Sequence, residues 1–241
     1  MKDLTELVRG AIWLREYPVR YAGARFSARM TVLRLQSGKL LIHSPCEIND
    51  SLRSTISSLG QVAYLVAPGT FHYFYMESAQ EMFPDAQTYI CPGLEKKRPE
   101  LQFDWILGDR TPPEWGDDLE QVLVHGTRFI SEVVMFHKPT RTLLVVDLIE
   151  NIGDQTPGTD WVLRAWWKLV MRMWNRAAPA PEYQVGWGAK EVVGKALARI
   201  LEWDFERVVL AHGDLIEDDA REIVRAAWAK PLRALNRKGA V

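Results

Sequence analysis

Cysteine is almost missing from this 241-residue chain, with Cys46 and Cys91 the only two. Two thiols make no disulfide framework, so the fold must rest on an apolar core, and a reducing cytoplasm is the expected compartment. Net charge is nearly absent too: 30 Lys and Arg face 31 Asp and Glu, for a formal charge of −1 and a pI near 6.5. That balance gives no basic footprint for nucleic acid. No uninterrupted apolar run is long enough to span a bilayer. The N-terminal stretch Met1–Leu7 is charged and lacks the apolar run of a signal peptide, which again predicts a cytoplasmic protein. Histidine is scarce, at five residues, so each one carries information. There is no internal repeat and no low-complexity tract.

What is plentiful is core. Hydrophobic residues make up 47% of the chain and tryptophan reaches ten. The length suits one large domain, predicted over residues 1–235, with a basic tail at 236–241.

Three continuous apolar runs read as strands buried on both faces. Val62–Ala67 leads to His72. Thr142–Val146 leads to Asp147. Arg207–Ala211 leads to His212. Each delivers a metal-capable side chain just past a strand end, where open α/β sheets place their chemistry. These three residues are predicted to converge. Further strands are expected at 5–14 (two short ones), 29–35, 39–43, 87–91, 103–107, 121–125 and 132–137. Helices are expected over 51–59 (capped by Asn49 or Asp50), 75–83, 161–176, 189–203 and 217–229, the last ending before Pro231. The early strands connect by hairpins, not helical crossovers. The order therefore predicts an α/β chain with two sheets sandwiched between helices.

This layout resembles the metallo-β-lactamase-like hydrolase superfamily, as a divergent branch, across most of the chain. The family's signature is a strand followed by H-x-H-x-D-H. The corresponding stretch is Ala67-Pro-Gly-Thr-Phe-His72, where only the last histidine survives. Glu132-Val-Val-Met-Phe-His-Lys-Pro-Thr-Arg-Thr-Leu-Leu-Val-Val-Asp147 matches the rhythm of the family's strand–turn–strand that ends on a bridging aspartate. Val208-Val-Leu-Ala-His212-Gly213 matches the final strand and its histidine. The family's turn histidine falls on Arg128, or on His125 in a looser register. The resemblance implies a four-layer αββα sandwich of two mixed sheets flanked by helices.

It also implies a metal site. With Ala67 and Gly69 replacing two histidines, the three-histidine site of the family is lost. His72, Asp147 and His212 remain, with Phe71 where the family has an aspartate. Two histidines and a carboxylate plus water make a usual catalytic zinc set, and suit iron or manganese as well. One bound ion would activate a water for attack on an ester, thioester or lactone-type carbonyl of a small-molecule substrate. The alternative is a non-catalytic scaffold that binds a ligand or partner. Glu132, Asp214 and His125 are secondary candidates, Asp214 being first of all a cap for the following helix. His43 and Cys46 fall near the expected pocket floor, and His137 reads as a turn residue.

Residues 161–176 form a separate motif. Arg164, Lys168, Arg172 and Arg176 recur every four residues beside Trp161, Trp166, Trp167 and Trp174. Such a helix is an outer helix packed on the domain, a lid over the pocket, or a surface for peripheral membrane contact.

Overall fold

The computed structural model describes residues 4–127, 130–186 and 190–236. Arg128 and residues 237–241 of the expected tail lie outside them.

Among the described residues two mixed sheets form. The first holds β1 (Thr5–Val8), β2 (Ile12–Tyr21), β3 (Ala24–Arg34), β4 (Leu40–His43), β5 (Val62–Ala67), β6 (Gln87–Ile90) and β7 (Trp105–Ile106), in sequence order. It is antiparallel from β1 to β4 and parallel from β4 to β7. The second holds β8 (Leu119–His125), β9 (Ser131–His137), β10 (Thr142–Val145) and β11 (Arg207–Leu210), ordered β11-β10-β9-β8. In it, β8, β9 and β10 are antiparallel neighbours and β11 joins β10 in parallel.

The layers follow from side-chain alternation. On β9, Val133 and Met135 turn toward the first sheet, while Val134 and Phe136 turn outward. Val133 and Met135 join the apolar residues of the first sheet in one continuous core. Helices cover both outer faces. Leu52 and Ile56 of α1 (Asp50–Leu59) and Met76 and Ala79 of α2 (Met76–Met82) close the first sheet. A single turn, α3 (Leu94–Lys97), follows β6. Across the molecule, α4 (Trp161–Ala165) and α5 (Pro181–Gly186) precede α6 (Lys190–Ile200), α7 (Ala220–Ala227) and α8 (Ala229–Asn236). Val193, Leu197, Val224 and Trp228 from this group bury the outer face of the second sheet. The predicted two-sheet sandwich is therefore the fold.

Several elements depart from expectation. The first hairpin is far longer than predicted, pairing Ile12 through Tyr21 with Leu33 through Ala24. Beyond Leu14, β2 pairs with β3 alone, which accommodates Pro18 inside a strand. The helix predicted over 161–176 runs as α-helix only to Ala165. It continues as a π turn over Trp166–Val170 and then stops, because Arg172 and Asn175 take left-handed φ of 54° and 56°. Pro181 opens α5 instead of sitting in a loop, as a first-turn proline has no N–H to lose. The last helix is two. The buried Trp228 breaks it, its indole N–H donating to Leu148 O at 3.0 Å, and Pro231 falls in the first turn of α8.

Candidate active site

Four parallel-paired strands, β4, β5, β10 and β11, end at one rim. The loops that leave them carry Ser44, His72, Asp147 and His212. The last three are all buried, and each offers a ligand atom within 4.8 Å of the others. His72 Nε2 lies 3.2 Å from Asp147 Oδ1, and His212 Nε2 lies 3.7 Å from the same oxygen. The convergence expected from the sequence is present in the geometry.

The outer nitrogens are held as well. His212 Nδ1 is 3.1 Å from the Ser27 carbonyl. A carbonyl only accepts, so Nδ1 carries the proton and Nε2 of the neutral ring presents its lone pair toward Asp147. His72 Nδ1 lies 2.8 Å from Ser44 Oγ. Ser44 has a left-handed φ of 54°, a costly conformation for a residue with a Cβ, and this turn carries the hydroxyl that meets His72. Both rings thus direct Nε2 to one point and use Nδ1 for support, the arrangement that orients metal-bound histidines.

Electrostatics agree with that orientation. Burial lowers His212 to about 4, helped by the neighbouring His72 and opposed by Asp147. Burial alone would raise the Asp147 carboxyl. His72, His212 and Lys97 more than compensate, and it lies below the usual carboxylate range. The site therefore offers an ionised carboxylate and, at His212, a neutral imidazole. These are the protonation states that bind a divalent ion.

Two further groups support the site: Glu132, a secondary candidate in the sequence, and Arg29, which the sequence did not single out. Glu132, 1% exposed, accepts the backbone N–H groups of Val146, Asp147 and Leu148 at 2.7, 2.9 and 2.8 Å. Burial and the Asp147 charge push it up to about 8 against the pull of those donors. It holds the loop after β10 and does not join the three-residue cluster. Arg29, buried in β3, donates to the carbonyls of Leu210 and Gly213 and pairs with Glu16. It ties the first sheet to the loop that carries His212. A buried arginine among the apolar residues of β3 is what the structure adds.

The remaining candidates lie elsewhere. His125 is exposed at the end of β8, its Nδ1 3.3 Å from Ser131 Oγ. Asp214 caps no helix: its Oδ2 accepts from Thr156 Oγ1 at 2.9 Å, and α7 begins at Ala220, with Asp219 at the N-cap position making no side-chain cap bond. His43 is buried beside His72, and burial lowers it to about 3. Cys46 packs its sulfur 3.8 Å from Met30 Sδ. His137 ends β9 and meets Thr140 Oγ1 at 2.7 Å, a turn contact as expected.

At the positions where the resemblance implies lost ligands, Gly69 and Phe71 both have close packing neighbours. A Cβ on Gly69 would come 3.1 Å from Val146 Cγ2, so a histidine there needs Val146 to move. Phe71 carries Lys97 Nζ 3.8 Å above its ring.

A cavity of about 550 Å³ opens over the cluster. Its walls are largely apolar: Phe26 and Tyr21 from the hairpin, Phe71 and Phe74 from the loop after β5, and Trp166 and Trp167 from the π turn. Arg20, Ser44, Glu150 and Glu182 are polar exceptions, and Glu150 is the buried carboxyl among them. It lines the cavity, is 5% exposed, and its Oε2 has no partner. Burial, with Asp147 and Glu182 nearby, holds its carboxyl well above the ordinary range.

Solved structures share this architecture. A metallo-beta-lactamase from Erythrobacter litoralis superposes with a TM-score of 0.64 at 10% identity, covering 94% of this chain and 96% of that one. One from Pontibacter korlensis gives 0.60 at 14%, covering 97% and 98%. FIM-1 from Pseudomonas aeruginosa, in a mono-zinc form, gives 0.60 at 10%, covering 96% and 95%. The chain thus has the metallo-β-lactamase fold. By sequence it belongs to the family described as "Domain of unknown function (DUF4336)", whose model matches residues 9–170. No curated protein matches it.

Proposed function

We propose that this protein is a metal-dependent hydrolase with a single metal site, acting on an ester, thioester or lactone-type bond of a small molecule. The observation that carries the reading is the convergence of His72, Asp147 and His212 with both imidazole Nε2 atoms turned toward one carboxylate oxygen. The donor set fits zinc first, with iron or manganese as other ions of the same preference. The ion would supply Lewis acidity toward water and a carbonyl oxygen.

The chain's own groups have distinct roles in this reading. Asp147 and the two histidines bind the ion. Ser44 and the Ser27 carbonyl orient the rings. The apolar walls seat the substrate and exclude water. Glu150, whose carboxyl burial pushes upward and whose Oε2 has no partner, is the group in the wall available to a polar atom of the substrate. The lack of a ligating side chain at Ala67 and Gly69 supports one ion instead of two. The similarity to a lactamase crystallised in a mono-zinc form is in keeping with that count. The free, buried thiols Cys46 and Cys91 fit the cytoplasm as its compartment.

Elemental analysis of untagged protein tests the reading, with His72→Ala and Asp147→Ala beside it and circular dichroism to verify folding. The expected result is one equivalent of a transition metal in the parent and none in either variant. Absence of metal after incubation with zinc, iron and manganese would overturn it. That result would favour the second reading, a scaffold that binds a ligand without catalysis. The observation on that side is Phe71, which stands in a ligand position with Lys97 packed on its ring.

A further inference from the structure

The π turn presents two faces of opposite character. Inward, Leu163 and Trp167 are buried against Phe26 and Ala24 of the hairpin. Outward, Trp161 is 79% exposed, Leu169 75%, Val170 63% and Trp166 48%. Isolated exposed apolar residues need no explanation, but four within ten residues form a patch. The patch continues across the cavity mouth to Phe74, 62% exposed, which lines the cavity together with Trp166.

Cations border it. Arg164, Lys168 and Arg172 are all exposed and recur every four residues along the same segment. Arg164 and Lys168 each stand 5.2 Å from the Trp174 ring, and Lys168 Nζ is 3.8 Å from Asp154. Those contacts hold the two cations beside the apolar face and leave them in solvent.

We infer that this face docks on an anionic lipid bilayer, with Trp161, Trp166, Leu169 and Val170 at the headgroup–acyl boundary and Arg164, Lys168 and Arg172 against lipid phosphates. Exposed Trp and Leu beside a basic row is the composition of a helix that lies in a membrane interface. Each such cation gains from the negative surface of a cytoplasmic leaflet. Ten residues at helical rise extend about 15 Å, half of a hydrocarbon core, so the segment lies on the bilayer and does not cross it. A second copy of the chain is a poorer occupant. A two-fold pairing through this face would set its three cations against three identical ones. Docking also turns the cavity mouth toward the bilayer, because Trp166 and Phe74 belong to both surfaces. A lipophilic substrate could then enter without crossing water. This inference stands independently of any metal.

Sedimentation of the full chain with vesicles tests it. One set is phosphatidylcholine alone, and the other is phosphatidylcholine with an equal part of phosphatidylglycerol. Binding is expected to the mixed vesicles, to weaken with added salt, and to be far weaker on phosphatidylcholine alone. The triple variant Arg164→Glu/Lys168→Glu/Arg172→Glu is expected to lose about a hundredfold in partitioning. Trp161→Ser/Leu169→Ser is expected to lose a comparable factor at unchanged net charge. If the charge reversal unfolds the protein, the triple glutamine variant serves in its place. Three outcomes would overturn the inference: no binding to mixed vesicles, equal binding by the charge-reversed protein, or a dimer in light scattering that Trp161→Ser/Leu169→Ser abolishes. The last would assign the face to a second copy.

Discussion

The Oε2 atom of Glu132 accepts the backbone N–H of Asp147 at 2.9 Å, so one buried carboxyl fixes the peptide that carries another. The same oxygen takes the N–H of Leu148, and Oε1 takes that of Val146. Replacing Glu132 by Gln turns an amide NH₂ toward at least one of these donors and leaves it unpaired in a dry site. The expected cost is about 1–3 kcal/mol of stability, read from urea denaturation. Zinc affinity should fall about tenfold or more, because Asp147 loses its fixed position. Unchanged affinity in a folded Glu132→Gln protein would show that the loop is held by packing alone.

Gly213 offers a sharper steric test. Its φ is +94°, and a Cβ would come 2.2 Å from the Asn151 carbonyl oxygen. Neither can be relieved without moving the loop that carries His212. Gly213→Ala should destabilise by on the order of 3 kcal/mol. A thermal midpoint within a degree or two of the parent would show that the loop has another route.

Restoring the missing carboxylate separates affinity from stoichiometry. Phe71→Asp places a further anionic group beside the three donors and should raise zinc affinity about tenfold or more. Titration calorimetry should still return one ion per chain, since Ala67 and Gly69 offer no ligand for a second. Two equivalents would sink the single-site account.

The pH dependence has a sign that one distant residue can report. Burial lowers His137 from the ordinary 6.5 to about 4. Between those values the unfolded chain binds a proton that the folded chain refuses. The contribution is present above 6.5 and is lost as pH falls toward 4. Glu132 and Glu150, with raised carboxyls, act in the opposite direction: their contributions are present at low pH and are lost as pH rises. The measurement must therefore be a difference. The stability of His137→Asn relative to the parent should improve steadily from pH 7 to pH 4.5. A difference independent of pH would mean that His137 takes up its proton in the fold as readily as in the unfolded chain.

Much of the site was legible because three strands are apolar without interruption. Val62–Ala67, Thr142–Val145 and Arg207–Leu210 have no alternative reading as amphipathic helix, and each is followed closely by a ligand-type residue. Glu132 stood out as a candidate but its supporting role did not, and Arg29 was not legible because it acts at long range. Arg29 reaches Gly213 across 184 positions, and no local pattern announces that contact. The ends of elements failed for a different reason. Periodicity carried the basic row from Arg164 to Arg176, but helicity depends on backbone angles, and Arg172 leaves them. Pro18 and the charges at Arg15, Glu16 and Arg20 likewise masked the outer half of the first hairpin.

The parallel pairing of β10 with β11 has a further consequence, in time instead of space. His72 precedes Asp147 by 75 positions, and His212 arrives 65 positions later, just past β11. During synthesis the cluster cannot exist until most of the chain has emerged. An ion bound there would stitch three remote segments together and close two long loops at once, acting as a removable cross-link on the unfolded ensemble. Nascent chains ending before β11 should therefore be unable to retain metal, and capture of the ion would mark the completion of the fold.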